Sequence, residues 1–267
     1  MPRSTEVTSP KNPIVHRFRD AAAGDIPGEV VLDGNRLVEE ALDAKLDVLA
    51  AAWSPKLLQA RNGHELKRRL EQRAAEVYQA SDQVLARMSS LTTHQGVLVL
   101  VREPIARDED LLGPDPSRAL VVAATGVRDP GNLGAMVRAT EAAGGTGFVA
   151  QAGGADPFRD KAVRGSAGSV LRVPIRSRWD DEHTLAFARQ HGLQVLCADH
   201  RAEAEYLDAD WTKPTLVALG NEGAGVSEAI RAGADLAVRI PIAETIESLN
   251  VAVATGILLF EARRQRR

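Results

Sequence analysis

From residue 119 onward, short apolar runs alternate with stretches whose apolar residues recur at helical spacing. ALVVAAT (119–125), TGFVAQ (146–151), LRVPIR (171–176), LQVLCAD (193–199), PTLVALG (214–220) and LAVRIPI (236–242) read as strands. Their unbroken hydrophobicity predicts a parallel sheet buried on both faces. Between them, NLGAMVRATEAAG, FRDKAVRGSAGSV, DEHTLAFARQH and VSEAIRAGA read as helices. The last element, SLNVAVATGILLFEARRQRR, opens at a serine suited to cap a helix and ends in a basic tail. It is apolar nearly all round as far as Phe260, which predicts burial within the domain or against a partner.

The first hundred residues alternate in the same way. EVVLDG, KLDVLAAAWS, AEVYQAS and GVLVLVRE read as strands. TSPKNPIVHRFRDA, NRLVEEALDA, PKLLQARNGHELKRRLEQRAA and DQVLARMSSL carry the helices, and together they predict a small α/β sandwich. EPIARDEDLLGPDPSR (103–118) is acidic, proline-bearing and without periodicity. It reads as a linker between an N-terminal domain, 1–102, and a C-terminal α/β domain, 119–267.

Composition narrows the class. Hydrophobic content of 44% and charged content of 26% are those of an ordinary globular protein. No apolar run is long enough to span a bilayer, and MPRSTEVTSPKNP lacks the apolar segment of a secretory signal, so a cytoplasmic protein is expected. The single cysteine, Cys197, excludes an internal disulfide and a cysteine-built zinc site, and the six histidines show no metal-ligand spacing. A net charge of −3 argues against indiscriminate nucleic-acid binding. Locally, however, residues 128–178 hold eight basic side chains against four acidic ones.

The turn after the first C-terminal-domain strand, RDPGNLGAMVRATEAAGG (128–145), looks like a nucleotide loop but fails both tests. Its glycines follow neither G-x-G-x-x-G nor the phosphate-loop spacing, although a helix start still favours a single anion. Three loops at carboxyl ends of strands, the usual place for function in an open α/β sheet, carry the candidate chemistry. The first holds Asn132, which equally suits a cap, and Arg138. In the second, ALGNEGAGVSE, Gly220, Gly223 and Gly225 permit close backbone approach to a flat ligand or a sharp reversal. The third, IPIAETIESLNVAVATG, has Ser248 as the expected cap and places Asn250 in the first turn, where its amide needs a partner.

Taken together and in this order, NLGAMVRATEAAG, LVALGNEGAGVS and IPIAETIESLNVAVATGILLFEARRQ resemble the three motifs of the SpoU/TrmH RNA ribose 2′-O-methyltransferases, part of the SPOUT class. LDGNRLVEEAL and THQGVLVLV resemble the small substrate-binding domain often fused to that family, a domain similar to kink-turn-binding ribosomal proteins. The resemblance implies an α/β domain with a parallel sheet and a deep trefoil knot, binding S-adenosylmethionine and pairing as a homodimer through the C-terminal helix. It implies Arg138 as the central catalytic residue, with Asn132, Glu222, Ser248 and Asn250 completing the pocket. Gly220, Asn221, Ile240, Pro241 and Leu249 are implied to hold the cofactor, and Arg128, Arg164, Lys11 and Asn12 to contact RNA. Ribosomal RNA is the expected substrate. The alternatives are transfer RNA, or a non-catalytic RNA-binding assembly factor on the same scaffold.

Overall fold

The computed structural model describes residues 4–221, 223–243 and 245–267. The chain forms two compact units, one of residues up to Pro104 with Phe158–Asp160, the other Ile105–Pro157 with Lys161–Arg267.

The first unit runs β1 (Thr5–Val7), α1 (Pro13–Ala23), β2 (Glu29–Asp33), α2 (Asn35–Asp43), β3 (Val48–Trp53) and α3 (Gly63–Arg73). It closes with β4 (Glu76–Ala80), α4 (Asp82–Met88) and β5 (Val97–Arg102). The sheet order is β1-β4-β3-β5-β2, with β5 antiparallel to both its neighbours. Phe18 of α1 and Leu85 of α4 join Ala50, Ala52, Leu98 and Leu100 in one buried cluster, while α2 and α3 pack on each other and on β5 and β3. The helix expected from Pro55 onward is broken. A 3₁₀ turn spans Pro55–Gln59, and Ala60 is extended before α3 begins. Strand β1, polar and three residues long, gives no periodic signal in the sequence.

The second unit runs β6 (Leu120–Thr125), α5 (Pro130–Ala143), β7 (Gly147–Gln151), α6 (Asp160–Gly165), β8 (Ile175–Trp179) and α7 (Asp181–Gln190). Then come β9 (Gln194–Ala198), β10 (Ala204–Glu205), β11 (Thr215–Gly220), α8 (Glu228–Gly233), β12 (Leu236–Arg239) and α9 (Val251–Gln265). All seven strands are parallel, in the order β10-β12-β9-β11-β6-β7-β8. Every residue of β6 and β7 is buried, as the flat hydrophobicity predicts. Leu185, Phe187 and Ile230 of α7 and α8 cover one face through Val121, Ala123, Val195 and Ala218, while α5 touches β7 and α9 touches β11.

Four expectations need correction. The strand read at 171–176 starts only at Ile175, after a 3₁₀ turn at Ser169–Leu171, and runs to Trp179 with a register shift beside Arg178, whose φ is 64°. The helix read through 158–170 stops at Gly165, because Ala167 turns left-handed (φ 49°). Strand β12 ends at Arg239, two residues before Pro241, which has no N–H for a ladder. The supposed linker is partly core: a 3₁₀ turn spans Asp108–Leu112, and Leu111 and Leu112 join the buried cluster under the sheet.

The G-x-x-G spacing of α5 proves to be a packing device. A Cβ on Gly134 would lie 2.2 Å from the Ala162 carbonyl oxygen and 2.8 Å from the Ser166 nitrogen, so only glycine admits the 162–166 backbone this close.

Helix α9 lies alongside α5. Val251, Thr255, Leu258, Leu259 and Ala262 are buried, while Val253 and Phe260 remain 52% and 51% exposed. Past its end, Arg266 is clamped by carbonyls. Its Nε donates to Trp211 O (2.6 Å), Nη1 to Arg118 O (2.7 Å), and Nη2 to Lys213 O (2.7 Å) and Ala119 O (3.2 Å). Burial lowers its pKa from the usual guanidinium value. Arg118 returns a bond to Arg266 O at 2.7 Å. Replacing Arg266 by Ala leaves these acceptors without their donor, and should destabilise the protein by about 3 kcal/mol, read as a lower urea midpoint. An unchanged midpoint would refute the clamp.

Candidate active site

The site forms where β6, β9, β11 and β12 end and where α5 and α9 begin. Helix α5 is capped by Asp129, ahead of Pro130 in the first turn. The Asp129 Oδ1 accepts from the Asn132 backbone N–H (2.8 Å), and its Oδ2 pairs with Lys161 Nζ (2.6 Å). Lys161 chiefly, with the Asn132 N–H, holds the Asp129 carboxyl below the usual carboxylate range. Asn132 is therefore not the cap. It sits inside the first turn, with its side chain available for another task.

That task is visible at α9. Asn250, not Ser248, caps this helix: its Oδ1 accepts from Ala252 N (3.0 Å) and Val253 N (3.4 Å). Its Nδ2 donates to Asn132 Oδ1 at 3.0 Å, which satisfies the amide and pins the two helix starts together. At the other end, Arg263 of α9 donates to Ala142 O near the end of α5. The two helices thus run parallel, and their positive N-terminal ends converge at one place.

The second loop turns back on itself. Asn221 forms a bridge with Gly225, whose N–H donates to Asn221 O at 2.7 Å, while Asn221 Oδ1 accepts from Gly223 N at 2.8 Å. A Cβ on Gly220 would lie 1.9 Å from the Gly225 carbonyl carbon, so the reversal requires glycine at 220. The Asn221 Nδ2 also reaches Gly126 O (3.5 Å), linking this loop to the first.

Between the second and third loops lies a cavity of about 260 Å³. Leu219, Val238, Ile240, Leu249 and Val251 give it apolar walls, and Gly220, Asn221 and Ser248 line it as well. Pro241 does not: it is exposed, while Ile240 and Ile242 on either side of it line the cavity. Arg138 is exposed on α5, six residues past Asn132 and therefore about 120° away around the helix. The structure does not bring it into the Asn132–Asn250 pair. Arg128 and Arg164 are exposed in the same unit. In the first unit Lys11 is exposed, and Asn12 Oδ1 caps α1 by accepting from Ile14 N (3.0 Å). Glu222 lies outside the described residues.

Two residues of the cavity wall escape the sequence reading. Asp199, directly after β9, is buried and ion-paired through Oδ2 to Nη1 of Arg231 on α8. The strand end was legible, but the partner lies 32 residues on, in an unremarkable helix. The cap Asp129 was signalled by Asp-Pro at a helix start, a cue that Asn132 overshadowed.

Comparisons with known proteins agree with this architecture. Residues 119–260 match the SpoU rRNA methylase family, and residues 31–105 match the substrate-binding domain of RNA 2′-O ribose methyltransferases. A Synechocystis protein described as an uncharacterized tRNA/rRNA methyltransferase is 32% identical over 266 residues, covering 97% of this chain and 93% of its own. The crystal structure of an AdoMet-bound rRNA methyltransferase from Sinorhizobium meliloti aligns with a TM-score of 0.87 at 30% identity, covering 98% of both chains. The SpoU methyltransferase AviRb from Streptomyces viridochromogenes, in complex with AdoMet, aligns with a TM-score of 0.84 at 27% identity, covering 96% of this chain and 99% of its own. With its parallel sheet, its three joined loops and these matches along both units, the chain belongs to the SpoU rRNA methylase family.

Proposed function

We propose that the protein transfers a methyl group from S-adenosylmethionine to a ribose 2′-hydroxyl of RNA, with ribosomal RNA as substrate. The observation that carries this reading is the junction of Asn132 with Asn250, which sets two helix N-termini beside the cavity at the carboxyl edge of the sheet. The cavity suits the cofactor: its aliphatic walls accept a flat base, and Gly220 and the strand ends offer backbone hydrogen bonds. Bound there, S-adenosylmethionine supplies an electrophilic methyl group on its sulfonium. Converging helix ends attract the phosphate that adjoins the target ribose. The Arg138 guanidinium serves as a clamp on that phosphate and a stabiliser of the developing alkoxide, not as a base.

Asn250 organises the third loop, and Ser248 completes the pocket. Arg128 and Arg164 add phosphate contacts, and Lys11 and Asn12 of the substrate-binding unit add others. The reading carries the family's deep trefoil knot, supported by the last helix packing beside the first helix of its unit. It also carries a homodimer through α9, supported by the exposed stripe of Val253 and Phe260. Among the described residues no helix is long and apolar enough to cross a membrane, in keeping with work on cytoplasmic RNA. Transfer RNA is the second reading, favoured by the joint tRNA/rRNA description of the Synechocystis relative.

Incubation with methyl-tritiated S-adenosylmethionine and total RNA should yield labelled 2′-O-methylnucleosides, and separating the RNA classes decides the substrate. No label in any RNA would reject the reading. Arg138→Ala should lower transfer at least about a hundredfold with cofactor binding retained, and wild-type turnover in that variant would remove Arg138 from the chemistry. Asn250→Ala loses the cap and the bond to Asn132. It should cost about 1 kcal/mol in unfolding and weaken both cofactor binding and rate, which calorimetry and the tritium assay report. Phe260→Glu puts a charge in the exposed stripe of α9 and should give a monomer by light scattering; an unchanged dimer would show that the subunits pair elsewhere.

A further inference from the structure

One wall of the cavity is charged, in a way the methyl-transfer reading does not yet use. Asp199 follows β9, its backbone N–H donating to Val238 O (3.0 Å), and its side chain is only 5% exposed. The carboxylate Oδ2 pairs with Arg231 Nη1. Oδ1 accepts from Arg201 N at 3.0 Å, and stands 3.5 Å from Arg201 Nε and 3.8 Å from His200 Nδ1. Asp199 and Arg231 both line the cavity, together with Gly220, Ile240 and Leu249.

Burying an ion pair costs more desolvation than its attraction reliably returns, so stability alone is a weak reason to keep one here. A carboxylate has about four acceptor positions, and its two strong described partners leave capacity for a ligand's donors. Flanked by Arg231 and Arg201, the carboxylate offers acceptors to a donor that enters the cavity. An S-adenosylmethionine molecule offers three kinds of donor: the adenine amine, the ribose hydroxyls and the α-ammonium. The aliphatic walls take the adenine, and a cationic ammonium is repelled by the two guanidinium groups. A neutral vicinal diol meets no such repulsion and donates two hydrogen bonds.

We propose that Asp199 receives the ribose hydroxyls of the cofactor's adenosine, and that Arg231 is the positioning residue that holds it. The inference rests on the proposed use of this cavity for S-adenosylmethionine. Asp199 thereby selects a ribonucleoside cofactor.

The test is calorimetric titration of the whole protein with S-adenosylmethionine and its 2′-deoxy, 3′-deoxy and decarboxylated analogues. Wild type should lose about tenfold in affinity on removal of a ribose hydroxyl. Asp199→Asn should bind S-adenosylmethionine about tenfold more weakly and discriminate the deoxy analogues no further. Should the single variant unfold, the double variant Asp199→Asn with Arg231→Gln removes both members of the buried pair; the same loss of discrimination is expected. Full discrimination persisting in either variant would overturn the proposal. So would a selective loss for the decarboxylated analogue that Arg231→Gln abolishes, because the pair would then serve the α-carboxylate. Failure of wild type to bind S-adenosylmethionine at all would instead reject the proposed function itself.

Discussion

Most of the site depends on one amide. Asn250 uses its oxygen to cap α9 and its nitrogen to reach Asn132 in the first turn of α5, so a single side chain fixes where two helices start. Each helix brings a partial positive charge to its beginning, and placing two side by side is electrostatically unfavourable unless something negative meets them. Asp129 supplies part of that charge at α5, although Lys161 draws on it as well. The remaining positive potential points at the solvent edge of the cavity, where an anionic substrate is the natural complement.

Close backbone approach is the second constraint. Gly134 lets α6 and the turn after it pack against α5, and Gly220 lets the second loop fold back on Gly225. Either glycine with a methyl group would push apart segments that the amide contacts need in register. These two glycines are placed by backbone packing, and their spacing matches no nucleotide fingerprint.

The central strands of the second unit, β6, β7, β9 and β11, were legible because they are largely buried and therefore continuously apolar, whereas the two-residue edge strand β10 gives no such signal. The errors occurred where a backbone event interrupts a pattern that side chains alone continue: the left-handed Ala167, the bulge beside Arg178, the missing N–H of Pro241. Asp108–Leu112 was misread for the opposite reason, two leucines among acids being too short a run to show periodicity. In the site, Ile240 and Leu249 came from the resemblance to the family, while Asn132, Asn250 and Gly220 stood out, since strand ends and helix starts can be located from sequence. Their mutual contacts could not be. Asn132–Asn250 spans 118 residues, and the pairing of Asp199 with Arg231 depends on a sheet order in which β9 lies between β12 and β11.

The Arg266 clamp has a property that ion pairs lack. Its described acceptors are peptide carbonyls from two separate stretches of chain, 118–119 and 211–213, and the Thr215 hydroxyl, with no carboxylate among them. Carbonyls do not titrate, and a partly buried guanidinium is poorly screened by dissolved ions. The end of α9 is therefore held by an anchor indifferent to acid and to salt, while surface pairs such as Arg68–Glu65 weaken under either. An enzyme that must release a polyanion when ionic strength rises can then let go of its substrate without loosening its own frame.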